Sequence, residues 1–261
     1  MRKRVDDALR SLPGDAPRRS RVPRPPLRLM TTTLWEYPSQ HYDSNAAGAM
    51  QGDKSYAGAT PSWVIWQLLQ RYTRKDDVVL DPMCGSGTTL DVCRDLDRTG
   101  IGFDLVPFRE DIQQADAREL PLDDESVDFV FVDPPYSTHI DYSDDPRCIG
   151  KLDASVADAD GSCAYYIAME KVIAEIHRVL RPRRFMALYV SDSFRKQKNR
   201  RLFMPIGFEL FSILREFFDP VDIICVVRHN AKLARGNWHK AAERENFFLR
   251  GFNYLFILKK T

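Results

Sequence analysis

Val78-Val79-Leu80-Asp81-Pro82-Met83-Cys84-Gly85-Ser86-Gly87-Thr88-Thr89 decides the fold. A short, continuously apolar run ends in a glycine turn, and the turn opens a helix. Apolar runs of this kind are strands buried on both faces of a parallel sheet. Gly85 and Gly87 let the backbone turn tightly and let a ligand approach the main chain. The N–H groups at the helix start favour an anionic or carboxylate group. The third glycine of the dinucleotide fingerprint is absent, as is the Gly-Lys-Ser/Thr ending of a phosphate-binding loop.

Strand and helix signals alternate on both sides of this stretch. Upstream, a helix starts at Thr60-Pro61-Ser62 with proline just inside it, and Trp63, Trp66, Leu68 and Leu69 give it an apolar face. Downstream, the pattern predicts a helix over Thr88–Leu96, a strand over Ile101–Phe103 and a weak strand near Ile112–Ala115. An almost continuously apolar strand covers Val127–Val132, and a long helix covers Tyr165–Leu180, stopped by Arg181-Pro182. A strand over Phe185–Val190, a helix over Pro205–Phe217, and strands over Val221–Val227 and Tyr254–Leu258 complete the series. With right-handed crossovers this predicts a single doubly wound α/β sheet, mostly parallel and seven-stranded.

In such sheets ligands sit at the carboxyl ends of the strands. Asp81, Asp104 and Asp116 each follow one of three successive strands. An acid in the place of Asp104 accepts hydrogen bonds from ribose hydroxyls, and Asp116 is placed for an adenine amino group. The set suits an adenosine-containing ligand without pyrophosphate. The plain alternative is an ordinary turn with acids acting as helix caps.

The apolar strand Val127–Val132 runs into Asp133-Pro134-Pro135-Tyr136. Downstream of the glycine loop, this tetrapeptide resembles that of the DNA amino-methyltransferases, which methylate adenine at N6 or cytosine at N4. The resemblance covers about residues 31–261, from Thr60-Pro61 to the closing Asn253-Tyr254-Leu255-Phe256 strand. It implies a class I S-adenosylmethionine-dependent methyltransferase, Rossmann-like, whose last strand is antiparallel. S-adenosylmethionine is then the cofactor, expected at Thr60, Asp81, Pro82, Gly85, Gly87, Thr88, Asp104, Asp116 and Ala117. The flipped base is expected at Asp133, Pro134, Pro135 and Tyr136. Double-stranded DNA is the implied partner. A companion restriction endonuclease fits the resemblance without any direct contact being implied.

The residue types explain themselves chemically. The lone pair of an exocyclic base nitrogen is delocalised into the ring, so its two N–H groups need acceptors that turn it towards the methyl. The Asp133 carboxylate is one acceptor and the Pro134 carbonyl the other, with two prolines fixing the backbone. Tyr136 offers a stacking surface. No metal or covalent nucleophile is needed, and none of the five cysteines follows a proline as a cytosine-C5 enzyme would require. Aspartate in first position favours adenine N6 within the resemblance. Cytosine N4, an RNA base amino group, or a non-catalytic DNA-binding or assembly subunit stay open as alternatives.

The chain has 261 residues, 44% of them hydrophobic, enough for one sizeable core. The net charge of +1 argues for no polyanion, but its distribution does. Residues 1–30 hold nine Lys/Arg against three acids, and residues 181–201 hold eight against Asp192. The expected organisation is a basic, proline-rich arm over residues 1–30 and a methyltransferase domain over 31–261, with recognition insertions near 137–162, 191–204 and 228–250. Arg195, Lys196, Lys198, Arg200 and Arg201 are candidate phosphate contacts. Arg228, Lys232, Arg235, Asn237 and Trp238 are candidate base readers, since Arg and Asn pair with guanine and adenine edges. No Cys-x-x-Cys pair marks a zinc site, the odd cysteine count fits a reducing compartment, and no secretory signal or apolar span of about 20 residues is present. The cytoplasm is the expected location.

Overall fold

The computed structural model describes residues 24–44, 50–53, 55–197, 200–229, 233 and 236–261. An eight-stranded sheet organises them. Its strands are β1 (Leu34–Trp35), β2 (Val78–Asp81), β3 (Thr99–Asp104), β4 (Gln113–Gln114), β5 (Val127–Val132), β6 (Leu180–Val190), β9 (Asp219–Val227) and β10 (Phe252–Lys259). A separate hairpin pairs β7 (Ser193–Gln197) with β8 (Arg200–Met204). The helices are α1 (Ser62–Tyr72), α2 (Thr88–Asp95), α3 (Ala164–Val179), α4 (Ile206–Phe217) and α5 (Gly236–Glu245).

The order across the sheet is β1-β9-β10-β6-β5-β2-β3-β4. All neighbours are parallel except β10, which runs antiparallel to both β6 and β9. Two cores cover the two faces. α3 and α4 pack on one through Met169, Ile173, Ile176, Leu210 and Leu214. α1 and α2 pack on the other through Trp63, Ile65, Leu68, Val92 and Cys93. Both faces of the strands are therefore apolar, as the sequence of Val127–Val132 demands; every residue of that strand is buried.

The sheet departs from the expected seven strands by an eighth, β1, which pairs parallel with the end of β9. At two residues it is too short to show a period. β6 also starts directly where α3 stops, so Arg181-Pro182 ends the helix inside the strand. The pairing with β5 jumps from Val127–Leu180 to Phe129–Phe185, so Arg181 to Arg184 fall outside the ladder. Arg181 and Arg184 pair there with the buried Asp128 carboxylate at 2.7 and 2.9 Å. Arg183 adopts a left-handed φ of 63°.

Residues 24–30 lie against α1. Gln67 accepts the Met30 N–H at 3.0 Å and donates to the Arg28 carbonyl at 2.6 Å, while Leu27 and Met30 pack on the core. Residues 1–23 of the expected arm lie outside the described residues. Among the described residues no helix is long and apolar enough to cross a membrane.

Candidate active site

The glycine turn joins β2 to α2. Gly85 and Gly87 both take left-handed φ, 51° and 78°. A Cβ on Gly85 would lie within 2.9–3.0 Å of the Tyr56 ring, and one on Gly87 within 2.6 Å of the Arg109 guanidinium carbon. Only glycine meets both demands. Arg109 is held by Asp91 at 2.9 Å and by the Ser86 carbonyl at 3.2 Å.

The acids at the strand ends anchor this turn. Asp81 accepts the Thr89 hydroxyl and the Met83 N–H, and burial pushes its carboxyl up to about 7. Asp104 accepts the Gly85 N–H at 2.9 Å and the Val106 N–H at 3.1 Å, and burial raises it too. Asp116 is gripped at both oxygens by Arg118, at 2.8 and 2.6 Å, and Ala117 is buried in the core beside it.

A cavity of about 30 Å³ lies over the turn, lined by Thr60, Asp81, Gly85, Ser86 and Thr88. That is far smaller than a ligand pocket of several hundred Å³. Tyr56 stands on its wall, its ring edge-on to Phe108 at 5.2 Å and tilted to Tyr142 at 6.3 Å. The chemistry of the cradle fits an adenosyl ligand: side-chain-free backbone at two glycines, a helix N-terminus, and a carboxylate at the end of β3.

The Asp133-Pro134-Pro135-Tyr136 tetrapeptide follows β5. Tyr136 donates its hydroxyl to Asp133 Oδ1 at 2.7 Å, and Thr60 donates to Oδ2. Burial raises the Asp133 carboxyl to about 7, against the pull of these two donors and of the Arg228 charge. The Pro135 carbonyl accepts the Tyr165 hydroxyl at 2.7 Å and the Ser137 N–H at 3.0 Å. Ser137 is buried with φ 58° and accepts the Ala154 N–H at 2.8 Å. The turn is thus clamped from below by α3 and from the side by the 137–162 segment. A non-glycine left-handed residue beside reactive groups is where stored strain is expected.

A second cavity, of about 940 Å³, opens on the other side of Asp133. Its walls include Tyr136, Tyr189, Arg228, Trp238 and Asn253. Asp133, Tyr56, Gly58, Ala59 and Tyr142 line both cavities, so the carboxylate stands in the partition between them.

The basic segments divide. Arg195 pairs with Asp153 and donates to Ser155 Oγ at 3.1 Å, so it is tied to the 137–162 segment. Lys196, Arg200 and Arg201 fall on the β7–β8 hairpin. Arg228 donates to Ser191 Oγ at 3.2 Å on the wall of the large cavity. Asn237 and Trp238 lie on α5, and Trp238 faces the cavity. Lys198, Lys232 and Arg235 lie outside the described residues. The guanidinium of Arg250 stacks over Phe194 at 4.5 Å and Phe203 at 4.9 Å, which joins the hairpin to the 228–251 segment. Sequence reading missed Tyr56, Tyr189, Arg250 and Asn253. An isolated polar residue in the apolar run Phe252–Lys259 is the signal that marks Asn253.

With this geometry the known relatives agree. Residues 2–114 match the N6/N4 DNA methylase family. Type II methyltransferase M.HpaI of Haemophilus parainfluenzae is 31% identical over 102 residues, 39% of this chain and 29% of that protein. The aligned part is thus under a third of that relative's length. Among solved structures, TrmN from Thermus thermophilus superposes with a TM-score of 0.50 at 17% identity, over 78% of this chain and 50% of that one. A SAM-dependent methyltransferase from Methanosarcina mazei gives 0.46 at 14% identity, over 74% and 96%. At such identities the likeness to solved structures is one of fold. The fold is shared with TrmN, and residues 2–114 match the N6/N4 DNA methylase family.

Proposed function

We propose that the chain methylates the exocyclic amino group of a base flipped out of double-stranded DNA, adenine N6 first and cytosine N4 second. One observation carries the reading: the Asp133 carboxylate stands in the partition between the glycine-turn cavity and the large cavity. A group that must meet both a methyl donor and a base belongs in that place.

S-adenosylmethionine supplies an electrophilic methyl when bound at the glycine turn. The chain's own residues do the rest by placement. Thr60 and Tyr136 hydroxyls hold Asp133 at rest, and the amino group of the base takes over one of these acceptor positions. The Pro134 carbonyl receives the second N–H, so the nitrogen lone pair points at the partition. As the nitrogen gains the methyl it loses a proton, and Asp133, near neutrality in its affinity for protons, holds it. Extruding a base costs a few kcal/mol, and stacking on an aromatic ring returns about 1–3 kcal/mol. The tyrosines of the large cavity supply that surface. Aspartate at the head of the tetrapeptide supports adenine. The β7–β8 hairpin and the 228–250 segment border the cavity mouth and are the parts of the chain assigned to DNA contact.

The test is direct. The chain is incubated with methyl-labelled cofactor and unmethylated plasmid DNA, or with RNA, and the nucleosides are identified by mass spectrometry. N6-methyladenine in DNA is the expected product; N4-methylcytosine reassigns the base. Label confined to RNA, or no label, overturns the proposal.

A further inference from the structure

Asp133, Tyr189 and Asn253 lie on one face of the sheet, at the same end of three adjacent strands. β5 pairs with β6 so that Val132 faces Leu188, and β6 pairs with β10 so that Tyr189 faces Leu255. Side chains alternate along each strand. Phe131, Ala187, Tyr189, Leu255 and Ile257 all lie in the core on the α1 side. The same alternation puts Asp133 beyond Phe131 and Asn253 beyond Leu255 on that side, at one end of three adjacent strands. Neighbouring strands stand about 4.8 Å apart and residues rise about 3.3 Å along a strand, so Asn253, two strands over and two residues beyond Leu255, is about 12 Å from Asp133 backbone to backbone. A flat heterocycle with a hydrogen bond at each edge fills a gap of that order.

Asn253 is 6% exposed, lines the large cavity, and its Oδ1 has no hydrogen-bond partner. The other end of its amide lies beside the Tyr189 hydroxyl. Adenine and cytosine present only acceptors along their ring edges, so the amide that meets them is turned by half, with Nδ2 towards the cavity and Oδ1 accepting the Tyr189 hydroxyl. Leaving a buried amide atom unpaired costs about 1–3 kcal/mol, and a site tolerates that where a ligand completes the pairing. Ser191, the next polar group on the wall, already accepts Arg228.

We infer that Asn253, backed by Tyr189, hydrogen-bonds the ring edge of the flipped base opposite its amino group. Asn253 is thus a base-positioning and base-selecting residue. The inference rests on the function proposed above. Asp133 grips the amino group, Asn253 grips the far edge, and the base is fixed in its plane by two contacts rather than one. A base whose far edge presents the wrong atom leaves the amide unpaired and is rejected.

The full chain and the variants Asn253→Ala, Asn253→Asp and Tyr189→Phe are assayed on unmethylated plasmid DNA with methyl-labelled cofactor. Asn253→Asp preserves the shape of the side chain but cannot donate, so it serves where alanine disturbs the fold. The expected result is a fall in kcat/KM for DNA of about 10- to 100-fold in both Asn253 variants, and a smaller fall in Tyr189→Phe. Cofactor affinity by calorimetry and the melting midpoint stay at the wild-type values. The share of the minor methylated nucleoside rises, which a structural role would not produce. Wild-type kcat/KM and product ratio in the Asn253 variants overturn the inference, as does a parallel loss of melting midpoint, cofactor affinity and rate at constant product ratio. An unlabelled wild-type reaction overturns the function itself, whereas a labelled wild type with indifferent variants overturns this inference alone.

Discussion

The two walls of Asp133 are built in opposite ways. The glycine-turn wall is local: Asp81 to Thr89 supply most of it, and Asp104 joins from the next strand. It is tight, at about 30 Å³. The other wall draws on Tyr37, Tyr136, Tyr189, Arg228 and Asn253, from almost the whole length of the chain, and encloses about 940 Å³. A site for a ligand of fixed chemistry is written in one loop. The wall that the proposed function gives to the base is assembled where strand ends converge.

Asp133 serves both walls, so its replacement divides them most sharply. Asp133→Asn removes the proton acceptor while keeping shape. Methyl transfer should fall about 10³-fold, in the middle of the range for acid–base groups. Cofactor affinity by calorimetry should change less than a few-fold. Equal loss of both would move Asp133 from the partition to the cofactor wall alone.

Gly85→Ala acts on the tight wall only. It places a Cβ at φ 51° and within 2.9–3.0 Å of the Tyr56 ring. Left-handed strain of about 1–3 kcal/mol should weaken cofactor binding by about tenfold or more. DNA binding measured without cofactor should stay as in the wild type. If Gly85→Ala weakened DNA binding instead, the assignment of the walls would be reversed.

A pH profile reads the partition itself. Burial raises Asp133 from its ordinary 3.8 to about 7, and the Thr60 and Tyr136 hydroxyls and Arg228 pull it down. The protonated carboxyl dominates below that value and cannot accept the amino proton. The rate should therefore drop as pH falls through about 7, approaching tenfold per unit on the acid limb. The linkage has the opposite sense for stability: ionising this carboxyl above pH 7 costs the folded state, and the cost fades as pH falls. Arg228→Met removes a counter-charge and should move the acid limb to higher pH. A limb that stayed in place would take Arg228 out of the carboxylate's field.

What the sequence made legible follows the same division. Val78–Asp81 and Val127–Val132 announce themselves because strands apolar on both faces need no partner to be recognised. The glycine turn and Asp133-Pro134-Pro135-Tyr136 are contiguous, so spacing alone sets their register. Tyr189 sits in the run Met186–Val190 and reads as core, which half of it is. Asn253 acquires meaning only through pairing across β6. α5 has no buried residue, so its few apolar side chains do not announce a place in the core. Tyr56 lies in an irregular segment whose approach to Gly85 depends on tertiary packing. Arg181-Pro182 was a sound helix stop, but the ion pairs to Asp128 that let a strand begin there are long-range.

The smallest effect belongs to a residue remote from both walls. Lys260 is 7% exposed, and its Nζ donates to the Leu180 carbonyl at 2.8 Å and the His177 carbonyl at 2.9 Å. These carbonyls close α3, where a cation also complements the helix dipole. The Glu125 carboxylate stands at 3.4 Å and balances part of the charge. Lys260→Met keeps the apolar stem and removes the donor. The loss should be about 1–3 kcal/mol, the range for hydrogen bonds to a charged group and for the carbonyls left unpaired. Denaturant unfolding should report it as a lower midpoint with an unchanged slope. Methyl transfer at 25 °C should stay at the wild-type rate, because α3 braces the Pro135 carbonyl through Tyr165, at its opposite end. A loss of rate without loss of stability would mean that the end of α3 communicates with the catalytic turn, and that the two walls are less independent than their construction implies.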